Sequence, residues 1–478
     1  MKNVLDWEKP YHRFFEEMTR IPHGSFHEKA YSDYLVSFAK ERGLRYKQYP
    51  IGNVIIYKEA SAGYEDHLTV VLQSHMDMVW EKVPESTHNF ESDPLELYIE
   101  DGWLHAKGTT LGADDGTGVA YMLSVLDDQT MPHPPLECVF TVQEEVGLYG
   151  AYALEPEDLK GRRYISLDDG GGGTITTIAS AGGMHWKGTL PRKKWDMAVS
   201  GYRMQVSGLR GGHSGECINL ERGNALKICG ELLNCIQSCG NIVLSSFNGG
   251  DKDNAIPISC EVEFAAEVGE SEIREKAEEA IRLQKQKYAD SDPDLEIRLE
   301  RVALNHVWDA AASDTLLRFL ILCPNGFRHK SLKIEGLTTA SENLASVKES
   351  DSFVEISVSL RGAEDYYLDE MIGELRELSG LLGIKGEESD RYPAWGYEET
   401  SVMRPAMAQA VKTSMGKELE LLAVHGGLEC GVFKNKWPDM DMVTLGPVGK
   451  DVHTPDEKLD LQSFDDCYAL LKEFLRIL

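Results

Sequence analysis

The sequence predicts an α/β fold: a first domain built on a mostly parallel sheet, interrupted by an inserted α+β domain. Three observations carry this. Short apolar runs of strand length alternate with helical patterns from the N-terminus to Leu167. After Ala181-Gly182-Gly183 the pattern changes to strands followed by long, charged, amphipathic helices. Close to the C-terminus the helix–strand–helix pattern returns, so the first domain is discontinuous.

The elements follow in order. Residues 10–42 read as helix, with Phe14, Phe15, Met18, Tyr31, Tyr34, Leu35 and Phe38 at helical spacing. Asn53–Tyr57 and Leu68–Leu72 read as strands, then a helix from Gly118 to Leu126, and strands Leu136–Val142 and Tyr164–Leu167. Glu261–Phe264 followed by Glu272–Tyr288, and Phe353–Val358 followed by Tyr367–Leu382, repeat one strand–helix order. The run Phe319–Leu322 suits a buried strand, Met442–Leu445 another, and Ser463–Leu478 a last helix. The expected boundaries are 1–182 and 396–478 for the first domain and 183–395 for the insert.

Composition narrows the function. The chain has 478 residues, 42% of them hydrophobic, with no apolar run long enough to span a membrane. Its start lacks the apolar core of a signal peptide, and its nine cysteines include no Cys-x-x-Cys pair, so the chain reads as soluble, non-exported and cytoplasmic. A formal net charge of −30 argues against nucleic acid as a partner.

Five segments carry the chemistry. They are Ser74-His75-Met76-Asp77, Leu111-Gly112-Ala113-Asp114-Asp115-Gly116, Gln143-Glu144-Glu145-Val146-Gly147, Leu167-Asp168-Asp169, and Gly446-Pro447 followed by His453-Thr454-Pro455-Asp456-Glu457. Singly each is weak: a lone His is usually structural, and Asp-Asp-Gly is usually a turn. Together they lie at or just past strand ends, where an open α/β sheet binds its ligands. Two His and several carboxylates converging there suit zinc, or manganese or cobalt.

This ordered set resembles the co-catalytic di-zinc peptidase family that includes carnosinase and tripeptide aminopeptidase. Within it the likeness is to the aminoacyl-histidine dipeptidase (Xaa-His dipeptidase) branch, on Gln73–Val79, Gly112–Gly116, Gly211-Gly212-His213-Ser214-Gly215, Asn254–Pro257 and His425-Gly426-Gly427-Leu428-Glu429-Cys430-Gly431. The resemblance implies a zinc-exopeptidase-like fold with a lid as the insert. It also implies two divalent metal ions bridged by Asp114, one completed by His75 and Asp168, the other by Glu145 and His453. Asp77 would orient His75, and Glu144 would be the general base. Asp168 fits the strand end better than its neighbour Asp169, but the run after it departs from the family's acidic pattern, as does Gly116, where many members carry Lys.

From the insert, the resemblance implies that His213 donates to the carbonyl oxygen and that Asn254 assists in the pocket. Arg361 reads as a clamp for a substrate carboxylate or as a strand-end surface residue. Glu429 would neutralise a substrate amine or cap a helix. The expected function is hydrolysis of dipeptides, with a homodimer through the lid. The rivals are an N-acyl amino acid amidohydrolase or carboxypeptidase on the same fold, and a catalytically silent metal- or peptide-binding protein.

Overall fold

The computed structural model describes residues 3–478, which divide into two compact units. Of the described residues, the first comprises 3–179, 397–423 and 428–478; the second comprises 180–396 and 424–427. The short return segment Val424–Gly427, which the sequence reading leaves in the first domain, therefore belongs with the second unit.

The first unit is organised by a six-stranded sheet in the order Arg45–Gln48, Val54–Lys58, Leu136–Thr141, Val70–His75, Arg163–Ser166, Asp441–Thr444. The last four strands run parallel and the first two antiparallel. The strand Val70–His75 is buried throughout, as a central strand flanked on both sides must be. Helix Ala113–Asp127 is buried on nearly every face, consistent with its apolar sequence Val119–Leu126. Against it pack Tyr11, Phe14, Phe15 and Met18 from the first helix and Phe464, Leu471 and Phe474 from the last, in one continuous core. The last helix, Leu461–Ile477, starts where the Asp460 carboxylate accepts from the Ser463 amide at 2.9 Å.

Two readings need correction. Residues 10–42 form two helices, Pro10–Met18 and Lys29–Glu41, with Pro22 and Gly24 between them. Gly24 leaves room for the Trp80 ring, which a Cβ there would meet at 2.2 Å. Phe319–Leu322 is not a strand but the end of helix Ala310–Leu322, capped at its start by Asp309. Its buried Leu316, Leu317, Phe319 and Leu320 follow a helical period that a window of four residues cannot reveal.

The second unit holds a nine-stranded antiparallel sheet with Glu296–Trp308 at one edge and Lys385–Tyr392 at the other. The strand Cys260–Ala266 precedes helix Glu270–Lys287, and Phe353–Gly362 precedes helix Asp365–Leu382, the repeated order read from the sequence. Both helices contribute to this unit's own core through Ile273, Ala277, Leu368 and Leu375.

Candidate active site

In the first unit, three parallel strands end at one edge of the sheet. Each is followed by an acidic residue: Asp77 after Val70–His75, Glu144 and Glu145 after Leu136–Thr141, Asp168 after Arg163–Ser166. Asp114 stands in the first turn of helix Ala113–Asp127, and His453 in the loop that precedes the strand Lys458–Asp460. Ligand-capable atoms of His75, Asp114 and Asp168 lie within 4.8 Å of one another, as do those of Asp114, Glu145 and His453, and those of His75, Glu144 and Glu145. Asp114 is shared: its Oδ1 is 3.1 Å from His75 Nε2 and its Oδ2 is 3.2 Å from His453 Nε2. Glu145 Oε1 is 2.9 Å from the same His453 nitrogen.

Asp77 is fully buried and holds the opposite side of His75 through its backbone: His75 Nδ1 donates to Asp77 O at 3.0 Å, with the carboxylate Oδ1 farther off at 3.6 Å. Its carboxylate also accepts from Ser25 Oγ at 2.8 Å and from the amides of Glu144 and Glu145 at 3.0 and 3.3 Å. One buried residue thus orients the imidazole through its carbonyl and, through its carboxylate, the turn that carries both glutamates. Gln143, at φ 55°, is left-handed, which lets the chain turn sharply enough to present Glu144 and Glu145 together. Asp169 points elsewhere: it accepts from Gly171 N at 2.6 Å, Thr177 Oγ1 at 3.0 Å and Thr444 Oγ1. Of the two neighbours, Asp168 is the one grouped with His75 and Asp114.

The electrostatics are those of a crowded anionic site. Burial, reinforced by Glu145 and Asp168, pushes Glu144 well above the usual carboxylate range. Burial and Asp114 do the same to Asp168. Burial alone would lower His75, but Asp114 and Asp77 outweigh it and raise the ring well above its ordinary value. Asp114 and Glu145 raise His453 to about 11. Without a cation, this set is neutralised only by protons. Imidazole and carboxylate donors so crowded fit divalent metal ions: Asp114, His75 and Asp168 would hold one, and Asp114, Glu145 and His453 the other.

Glu429 opens the short helix Glu429–Lys436 and is buried. Its carboxylate accepts from Thr141 Oγ1 at 2.7 Å and from Gln73 Nε2, and burial pushes it up to about 7.

The second unit contains a different cluster. Arg361 is buried, and no carboxylate pairs with it among the described residues. Its Nη1 donates to Tyr392 Oη at 3.2 Å, and its Nη2 lies 3.4 Å from His213 Nε2. Arg361 Nε, His213 Nδ1 and His425 Nδ1 are buried without a hydrogen-bond partner. Burial, with Arg361 nearby, keeps His213 below its usual value and takes His425 to about 3, so both rings are neutral. A guanidinium can only donate, so His213 Nε2 accepts and its Nδ1 carries a hydrogen with nowhere to go. Asn254 is exposed; its carbonyl accepts from Ser214 N at 2.8 Å, and its side chain joins no hydrogen bond among the described residues.

Residues 71–477 match the family described as Peptidase family M20/M25/M40. The chain belongs to this family. It is 34% identical over 472 residues to the cytosol non-specific dipeptidase of Escherichia coli (strain K12), covering 98% of this chain and 97% of that one. The solved structure of aminoacylhistidine dipeptidase from Vibrio alginolyticus is similar at a TM-score of 0.88 and 33% identity, covering 98% of this chain and 96% of that one. Human carnosine dipeptidase 1, at a TM-score of 0.52 and 13% identity over 98% of this chain and 96% of its own, shares the fold. The family resemblance and the α/β fold read from the motifs are thereby borne out.

Within this family frame, the sequence reading missed two side chains of the Arg361 cluster. Tyr392 ends the edge strand Lys385–Tyr392 and carries no motif. Its ring fits only because Gly183 and Gly427 have no Cβ, which would meet it at 2.4 and 2.6 Å. His425 stands in a quoted motif without a role; its Nε2 is 2.7 Å from Ser341 Oγ. The Gly-Gly after His425 was the available signal.

Proposed function

We propose that the chain hydrolyses dipeptides, of Xaa-His or broader type, using two divalent metal ions, zinc first and manganese or cobalt as alternatives. The observation that carries this reading is Asp114, whose two oxygens face His75 at 3.1 Å and His453 at 3.2 Å, so that one carboxylate serves both donor groups. The names of the Escherichia coli and Vibrio alginolyticus proteins support the substrate class. Bound metal ions would supply an acidified water and polarise the scissile carbonyl. The rest falls to side chains. Glu144, not needed as a ligand in either Asp114-centred triad, takes the proton of the attacking water and passes it to the leaving amine.

Arg361 takes the C-terminal carboxylate of the dipeptide: a buried guanidinium without an anion is costly unless a ligand supplies one. The unpaired Nδ1–H of His213 donates to the carbonyl oxygen as negative charge develops. Asn254 assists in binding, and Glu429 meets the substrate amine. The reading extends to a cytosolic location, as the E. coli relative's name states for that protein. It also extends to a homodimer through the second unit, whose long edge strand Glu296–Trp308 has a free side for pairing.

The test is steady-state turnover on a dipeptide panel that includes Xaa-His, beside N-acyl amino acids and longer peptides. Dipeptides should be cut well and the others poorly. Preference for N-acyl amino acids would make the chain an amidohydrolase, and no turnover on any of them, with metals bound, a binding protein. Sedimentation velocity decides the dimer.

A further inference from the structure

The segment 111–114 is a turn that leads into the buried helix: Asp114 and Asp115 lie outside helical geometry, and the regular helix beyond them is capped by Asp115, whose Oδ1 accepts from Gly118 N at 3.1 Å. Gly112, in this turn, sits at φ 71°. The amides of the turn are taken by a residue far along the chain. Glu457 is 2% exposed; its Oε2 accepts from Leu111 N at 2.8 Å and Gly112 N at 3.1 Å, and its Oε1 from Ala113 N at 2.8 Å, with Asp114 N at 3.5 Å. A carboxylate has lone pairs enough for all of them.

Glu457 closes the loop that carries His453. Inside this loop, Glu457 N donates to Thr454 O at 3.1 Å, Thr454 Oγ1 to Asp451 O at 2.7 Å, and Lys458 pairs with Asp451 at 3.0 Å. These bonds shape the loop but do not place it. Asp451 and His453 are both left-handed, at φ 54° and 62°, a conformation that persists only when its surroundings hold it. On one side the strand Lys458–Asp460 is anchored on Trp103–Ala106. On the side facing Asp114, the Glu457 carboxylate ties the loop to the backbone, beside the contacts of His453 itself with Asp114 and Glu145.

We propose that Glu457 is a positioning residue: by clamping the amides of 111–114 from the His453 loop, it fixes the distance between Asp114 and His453 and so holds the second metal position in place. This rests on the two-metal reading above. A structural cap alone would affect stability and leave the spacing of two bound ions unchanged.

The test strips purified wild type, Glu457→Gln and Glu457→Asp of metal and titrates each with Mn2+, followed by electron paramagnetic resonance and calorimetry. Wild type should bind two ions with the spectrum of a coupled pair. Glu457→Gln, whose amide nitrogen cannot accept from backbone N–H, should bind its first ion as wild type does. Its second ion should bind about 10–100-fold more weakly, with an isolated-ion spectrum at one equivalent. Glu457→Asp, which keeps the charge but is one methylene short, should fall between. Wild-type affinities and a wild-type coupled spectrum in Glu457→Gln would overturn the proposal. If Glu457→Gln does not fold, Glu457→Asp decides by the same criteria. Should both metal-free variants unfold while metal-free wild type stays folded, Glu457 is a fold cap only and the proposal fails. A wild type without a coupled pair would sink the two-metal reading and this proposal with it.

Discussion

Each unit gathers a cluster of ionisable groups that it cannot satisfy by itself, and the two clusters have opposite charge. In the first unit, Asp114, Glu144, Glu145 and Asp168 crowd around His75 and His453, and the histidines are driven to hold protons. In the second, Arg361 is buried beside the neutral rings of His213 and His425, with donors left over. The first cluster calls for cations, the second for an anion. A divalent metal and a substrate carboxylate are ligands of those two kinds. Burial is common to both clusters; the sign of the charge distinguishes what each can bind.

The largest expected effect tests the anionic cluster at its shared member. Asp114→Ala removes the oxygen facing each histidine, so metal content by elemental analysis should drop toward zero and turnover should vanish with it. A variant that still carries two ions would move the bridge, with Asp115 the first candidate. Next is Glu144→Gln, which should keep both ions and lose about 10²–10⁴-fold in kcat. Near-normal turnover in that variant would remove Glu144 from the role of base.

The cationic cluster is tested by Arg361→Ala. A charge-assisted hydrogen bond contributes about 1.5–3 kcal/mol, so kcat/KM on a dipeptide should fall about 10–100-fold. The decisive comparison is the dipeptide against its C-terminal amide: wild type should prefer the free acid, and the variant should treat both alike. If wild type cuts the two equally, Arg361 does not read a carboxylate.

A smaller effect comes from pH. In the metal-free protein, Asp114 and Glu145 hold a proton on His453, raised to about 11, and His75 is likewise raised. Metal needs both rings neutral, so binding must expel these protons. Raising the pH therefore strengthens binding, and lowering it weakens binding by about tenfold per unit for each proton displaced; activity should decline below about pH 6. Calorimetric titration in two buffers of different protonation enthalpy counts the protons. An affinity unchanged between about pH 6 and 8 would contradict the charge state assigned to the histidines. Smallest of all on activity is Asp169→Asn, which breaks bonds to Thr177 and Thr444 and should lower Tm while leaving the metals bound.

The two clusters also differed in how far the sequence revealed them. His75, Asp114, Glu144, Glu145 and Asp168 sit where apolar strands or Gly-rich turns end, so local pattern brought them together before any contact was known. The choice of Asp168 over Asp169 needed the structure, because adjacent residues differ only in which way the chain turns. Glu457 was legible as part of a motif, but not its bonds to the amides of 111–113, which depend on two distant loops meeting. In the second unit, Tyr392 and His425 come from separate returns of the chain, with no shared period or spacing to link them. The errors in the helices have the same root. Pro22 and Gly24 break what looks like one amphipathic run, and four apolar residues at 319–322 are too few to tell strand from helix.

The central claim is that two metal ions, joined through Asp114, make the catalytic centre. The measurement that tests it most directly is stepwise addition of Zn2+ to the chelator-treated protein, with bound metal and dipeptide turnover followed together. Turnover should stay near zero without metal and reach its maximum only as bound metal reaches two per chain. Full turnover in the chelated protein, or at one ion per chain, would contradict it.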